Sequence, residues 1–577
     1  MKKVFEFLKK HHIGLIMILL ALLRVWLGYA LGGWYGMSET YDDVAMMQGL
    51  SLKRLIYPTN LALIKDLSFS LFLGFSAITN LPYTVVLSGY WVLTALVVYI
   101  LVRKLVKNKY VGLFVFSYVL FLPIAFTSWG GLRIYRNAVI APSIILTFSL
   151  ALIFLVELAK KEAIKKLVRV AVLTGLVFTF TYFLKEDGIW LLACMIVMTL
   201  VYLGIIVFRF LKARKGKKKV EYKKFAILGL TCVLPLMILW VSGNIYRGIN
   251  KAFFGVYEIN TRTEGELGEF VEKIYKIESP NRSEVIWAPL DAIEAAFQAS
   301  PTLGSYPKLL EEIKTTGFQG NDVVANPIKY DFLTWIMRSE LADAGMWTTE
   351  AEVNDLFGRI NDELDEAFKN GTLKTAEGRI QILASTGGYT WEEITRSNIV
   401  DQVVKSFEDS IWFTRYEIGF GEEDISYGTK DLEWDYTKVN RVLHMENDVN
   451  VIDKAGRKEA KTVVAIICWG YRIINIGIIV LVIVFIVREV VGVVRNWKER
   501  KKYFKKNAVG VSCAVVCLAF LGIAVVYSLA TAWFFIAPYQ GGIYHARSFV
   551  FYRVGVPALL TMSFIPAVCG WGRKKIS

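Results

Sequence analysis

The sequence predicts an all-α polytopic membrane protein, and three observations predict it. The chain of 577 residues is 55% hydrophobic and 14% aromatic, with a mean hydropathy of +0.43. That exceeds the ~45–50% apolar share of soluble chains. Apolar runs of about 20 residues recur, each long enough to cross ~30 Å of hydrocarbon as a helix. Finally, Lys and Arg gather at alternate ends of these runs, as they do in the cytoplasmic loops of membrane proteins.

Ten spans follow in order: 13–33, 83–102, 110–127, 138–158, 168–184, 189–210, 225–244, 463–487, 508–534 and 549–570. The first is too long for a signal-peptide core and has no small-residue cleavage site, so it reads as an anchor. The second to seventh are joined by short connections. One set of ends reads MKKVFEFLKK, RKLVKNK, KKEAIKK, RFLKARKGKKKVEYKK, RNWKERKKYFKK and GRKKIS. These ends hold about half of the Lys and Arg, which assigns them to the cytoplasm along with both termini. The net charge of +16 therefore reflects the positive-inside pattern and attraction to anionic lipid headgroups, and calls for no nucleic acid.

Residues 245–462 break the pattern. They carry 24 Lys and Arg against 39 Asp and Glu, and have the composition of a soluble, acidic, extracytoplasmic domain. Within it, TTEAEVNDLFGRINDELDEAFKNG predicts a helix. Thr349 and Glu352 have capping-box spacing, and Val353, Leu356, Phe357, Ile360, Leu364 and Phe368 form one apolar stripe. Gly371 marks the stop. The domains are thus a first transmembrane module (1–244, with a long first outer loop at 34–82), a mostly helical insert (245–462) and a second transmembrane module (463–577). The six cysteines all fall in apolar spans, so no disulfide framework or zinc spacing exists.

The cytoplasmic loops are short and basic and lack a P-loop or a GxGxxG after a strand. No nucleotide-binding domain fits there, and chemistry belongs on the outer face. Five polar constellations share that face. SETYDDVAMM supplies Glu39, Asp42 and Asp43. LIKDLSFSLFLGF supplies Lys65 and Asp66 beside a stretch suited to lie in the interface. SWGGLRIYRN supplies Arg133 and Arg136, FLKEDGIW supplies Lys185, Glu186 and Asp187, and PYQGGIYHARSFVFYR supplies His545, Arg547 and Arg553. Singly, each reads as a solvated loop or as a snorkelling cation. Together they suit a phosphorylated lipid headgroup. Arg grips phosphate oxygens bidentately and Lys adds a point charge. Fixed cations favour a leaving phosphate, and a carboxylate can take the proton of an attacking hydroxyl. A second acidic pair can hold a divalent cation, Mg or Mn, through oxygen ligands. Arg24 and Arg472 lie inside spans, where a charge faces a partner or a cavity.

The acidic pair after span one, the interfacial stretch at 60–80, the seven spans and the large insert resemble the GT-C superfamily of membrane glycosyltransferases, over roughly residues 13–244. The nearest groups are the protein O-mannosyltransferases and aminoarabinose transferases. In those, a DD-like pair is followed some twenty residues later by a KPP-like motif that engages lipid phosphate. Asp42, Asp43 and Lys65 fit that spacing, with Asp66 standing where the motif has proline. The loop after span three carries Arg133 and Arg136 in place of a second acidic motif. The resemblance implies a polyprenyl-phosphate-linked sugar as donor, and a glycan, lipid or protein as acceptor. It implies Asp43 as base with Asp42 assisting, phosphate held by Lys65, Arg133, Arg136, His545 and Arg547, and sugar or metal positioned by Glu186 and Asp187. A bacterial cell membrane is the implied location. A ligase or polymerase of lipid-linked glycans would use similar cations. A transporter or flippase would show broken, repeated spans, and no internal repeat is visible.

Overall fold

The structure is a computed structural model. It describes residues 2–35, 64–186, 188–215, 221–316, 324, 326–347, 349–381, 387–414, 416–429, 437–446, 448–534 and 553–572. Among them the first helices are α1 (Lys2–Leu31), α2 (Ser68–Thr79), α3 (Tyr83–Leu105), α4 (Lys109–Leu120), α5 (Asn137–Lys160), α6 (Ile164–Tyr182), α7 (Ile189–Lys215) and α8 (Tyr222–Phe254). The insert contributes α9 (Glu266–Lys276), α10 (Leu290–Ala299), α11 (Pro307–Thr316), α12 (Phe332–Asp343), α13 (Glu350–Lys369) and α14 (Ile399–Trp412), with several shorter turns between them. The chain returns through α15 (Arg457–Arg495), α16 (Arg500–Phe534) and α17 (Gly555–Trp571).

Among the described residues, eight helices are long and apolar enough to cross a membrane, so the protein is a helical, polytopic membrane protein. Two further helices lie at the other predicted spans. α6 opens with three cations, Lys165, Lys166 and Arg169, and α17 has only 17 residues. Both nevertheless run from one end of the bundle to the other. α6 starts where Lys166 meets Glu157 and ends where the Phe183 carbonyl accepts from Ser68 N–H. α17 starts beside Arg553, which donates to Gln402 of α14, and ends where Arg488 donates to the Gly570 carbonyl.

α5 is apolar on every face and is buried along nearly its whole length. Such a helix belongs at the centre of a bundle, and α3, α6, α7 and α17 surround it. The outer helices leave large apolar side chains exposed, among them Ile18, Leu22, Leu200, Phe208, Ile473 and Val484. In water such a surface would aggregate, whereas lipid solvates it.

The insert has its own apolar core, in which Phe270, Trp287, Leu333, Phe357, Ile360 and Leu364 are fully buried. The predicted helix is α13. Thr349 Oγ1 accepts from Glu352 N–H at 3.1 Å, and Gly371 takes a φ of +80° just past the helix end. A single antiparallel pair, Arg379–Ile380 with Tyr389–Thr390, is the only named sheet among the described residues. The insert is seated on the second membrane module by α14, which packs on α15, α16 and α17.

Candidate functional site

The loops that follow α1, α4 and α6 meet at one end of the bundle, and the start of the insert meets them there. Trp34 N–H donates to the Leu132 carbonyl at 3.1 Å, and Ile134 N–H donates to the Trp34 carbonyl at 2.9 Å. Ser68 N–H donates to the Phe183 carbonyl at 3.1 Å, and Thr261 N–H donates to the Ile64 carbonyl at 3.1 Å. Tyr246, near the end of α8, donates its hydroxyl hydrogen to the Lys65 carbonyl.

The SWGG stretch explains how the third loop folds back. Ser128–Leu132 form one π turn. A Cβ on Gly131 would stand 2.2 Å from the Ala125 carbonyl oxygen, so a side chain there cannot be accommodated without moving backbone. The turn sends the chain into Arg133 and Arg136, both buried. Arg133 is enclosed by the rings of Trp34, Trp129 and Tyr135, with its guanidinium carbon 5.6, 4.8 and 4.9 Å from their centroids.

Arg136 donates through Nη1 to Glu186 Oε2 at 3.0 Å. Burial alone would push the Glu186 carboxyl up. The fields of Arg136, Arg262 and Lys65 overcome that and hold it well below the usual carboxylate range. Glu186 is thus the ionised hub of a group of cations drawn from two other loops and the insert. Asp66 goes the other way. Burial raises it to about 7, helped by the neighbouring negative charge of Glu186 and opposed by Arg136 and by a hydrogen bond from Asn260 Nδ2 at 3.2 Å. Two carboxyls in one cluster therefore hold protons of different acidity, one ionised and one able to take up or release a proton near neutrality. That pattern is common where protons are moved.

Of the residues singled out in the sequence, Lys65, Arg136 and Glu186 come together with Asp66, and Arg133 flanks them through the Tyr135 ring that Arg136 also faces, at 5.2 Å. Asp42, Asp43, Asp187, His545 and Arg547 lie outside the described residues. Three members escaped the sequence reading. Arg262 acts on Glu186 from the insert and is itself paired with Asp331; Asn260 holds Asp66. They sit in NTRTEGE and KYDF, stretches without motif or periodicity, so no local signal marked them.

No family model, characterised protein or solved structure matches the chain.

The two intramembrane arginines differ from each other. Arg472 donates through Nε to the Trp412 carbonyl at 2.8 Å and through Nη2 to the Phe413 carbonyl at 3.3 Å. It caps the C-terminus of α14 and complements the negative end of that helix. Its role is to dock the insert. Arg24 has no such acceptor among the described residues. Among the described residues, no group of three or more His, Cys, Asp or Glu comes together in a way that could hold a metal ion.

Proposed function

We propose that the protein is an integral-membrane glycosyltransferase of the GT-C type. In this reading it moves a sugar from a polyprenyl-phosphate donor to a glycan, lipid or protein acceptor on the extracytoplasmic face of a bacterial cell membrane. The site would serve cell-envelope assembly. The chain would cross the membrane ten times with both termini in the cytoplasm. The basic connections support that orientation. Lys104 and Lys166 meet Glu157, and Arg209 donates to the Leu158 carbonyl, all at the end of the bundle opposite the cluster.

The observation that carries the reading is the convergence of Lys65, Arg136 and Glu186 from three separate loops, at the mouth of a helix bundle and beside a short apolar helix. α2 begins two residues after Asp66 and leaves Leu71, Phe75 and Ile78 exposed along one face. A headgroup phosphate held by the cations would have its isoprenoid chain running along such a surface. Lys65, Arg133 and Arg136, with His545 and Arg547, would grip the phosphate and stabilise charge as the sugar–oxygen bond breaks. Asp43 would accept the proton of the acceptor hydroxyl, assisted by Asp42. Glu186 orients Arg136 and, with Asp187, would position the sugar. Glu186 and Asp187 would also position a divalent cation, Mg or Mn, where one takes part.

The test is substitution at the acidic pair. Asp43→Asn should abolish transfer of radiolabelled sugar from polyprenyl phosphate, while expression and melting temperature stay at wild-type values. Full transfer by both Asp42→Asn and Asp43→Asn would falsify the catalytic assignment.

A further inference from the structure

Arg24 lies seven residues before the end of α1, about 10 Å into the bundle along the helix. It is 1% exposed. Its guanidinium carbon lies 4.3 Å from the centroid of the Phe126 ring and 5.8 Å from that of Trp91. Its Nε has no hydrogen-bond partner among the described residues. The elements packed on α1 are α3, α4 and α15. α3 and α4 contain no Asp or Glu, and in α15 Glu459 is exposed near the start while Glu489 is paired with Arg488 toward the far end.

A second donor lies at the same place. Trp91 is 1% exposed, and its indole Nε1 also has no acceptor among the described residues. An indole N–H can only donate, and so can a guanidinium. One and two turns along the same face of α3, Ser88 donates to the Thr84 carbonyl at 2.8 Å, and Thr84 Oγ1 is buried with no hydrogen-bond partner among the described residues. A Cβ on Gly28 would stand 2.2 Å from Ser88 Oγ. α1 and α3 thus approach closely one turn beyond Arg24. Ring contacts offset only part of the cost of removing a guanidinium from water. An anionic oxygen that accepts from both donors would offset the rest.

We propose that Arg24 and Trp91 form an oxyanion site inside the bundle, one that takes a phosphate oxygen. The phosphate is either carried on a lipid or free. Two donors beside aromatic walls suit one oxygen of a phosphate ester whose remainder is apolar. The lipid source fits the position, since Ile18, Leu22 and Trp26 leave an exposed apolar face on α1. The site is separate from the Lys65–Arg136 cluster and requires no sugar transfer.

The test uses the purified full-length protein in detergent, with melting temperature as the readout. The probes are a long-chain polyprenyl monophosphate, phosphatidylglycerol and inorganic phosphate. In the wild type a phosphate probe should raise the melting temperature in a saturable manner. A response to the lipids alone assigns the source to lipid, and a response to inorganic phosphate as well assigns a site reached from water. Arg24→Met should melt no lower than wild type without ligand, because an isolated buried charge has been removed, and should bind the effective probe at least tenfold more weakly. Trp91→Phe keeps the ring and loses one donor, and should bind about threefold more weakly. Should Arg24→Met fail to fold, Arg24→Lys replaces it, with weakened binding expected. Lys65→Met runs in parallel. Binding lost there but intact in the Arg24 and Trp91 variants overturns this inference and leaves the proposed function standing. Absence of any response in the wild type overturns it as well.

Discussion

Asp66 stands where the resembling motif has proline, and its surroundings give it a proton that the unfolded chain would not hold. Its carboxyl moves from 3.8 to about 7 on folding, through burial first and then the charge of Glu186. Between those values the folded state keeps a proton that the unfolded state has released, so this group's contribution to stability falls as pH rises from about 4 to about 7. Glu186 has the opposite sign. Its folded pKa is depressed, so its contribution is present above the ordinary 4.5 and is lost only as pH falls below that. Thermal melts between about pH 4.5 and 7.5 should therefore show a declining melting temperature. Asp66→Asn should flatten part of that decline, while Glu350 and Glu258, each raised to about 7 chiefly by burial, supply the remainder. An unchanged slope in Asp66→Asn would show that Asp66 is ionised in the folded protein. Lys65, Arg136 and Glu186 were legible as candidates because charge at the end of an apolar run is conspicuous. Arg262 and Asn260 were not, since polar residues in an acidic soluble insert are unremarkable until the fold carries them to Asp66.

At the scale of elements, the π turn at Ser128–Leu132 decides where two arginines go. With backbone atoms of Ala125 facing Gly131, Gly131→Ala has to open the turn. It should cost about 1–3 kcal/mol, as overpacking of a tight site does, and should reduce binding of polyprenyl phosphate at least tenfold. Gly74→Ala in α2 is the control, because a Cβ there meets nothing within 4 Å. It should melt at or above wild type, because alanine favours helix by about 1 kcal/mol. An equal loss from both substitutions would mean that the turn has no special part in holding Arg133 and Arg136. The pattern of apolar residues located the helices but not this turn. A pair of glycines signals only that some close approach occurs, and what approaches is decided by the neighbouring backbone. The same limit applied to Arg472. The sequence shows a cation within an apolar helix, and the contact with the end of α14 explains it.

For the whole molecule, a shared site requires one functional face. Cysteine scanning with a membrane-impermeant label, in a background where the six native cysteines are replaced, should mark positions in 38–47 and at 185 from the same side of the membrane. Labelling of positions in 216–220 should require permeabilised cells. Residues 38–47 and 185 reacting from opposite sides would end the proposal of a shared site. Crossing number was only partly legible. Hydropathy selects eight helices among the described residues, and α6 and α17 lie at the two other predicted spans and reach the same two ends of the bundle. A cationic first turn and a short apolar stretch weaken a composition signal without preventing a helix from running the length of a bundle.

Composition and patterning along the chain suffice for the class of the protein, the segregation of its basic loops and the presence of a folded acidic insert. These depend on each segment's own transfer between water and lipid and on its own periodicity, which neighbours in the chain carry. Which loops meet, the opposite acidities of Asp66 and Glu186, and the burial of Arg24 among rings with no carboxylate beside it among the described residues all arise from packing. Those outcomes depend on burial and on Coulomb fields between groups far apart in the chain, and such distances exist only after the helices have packed.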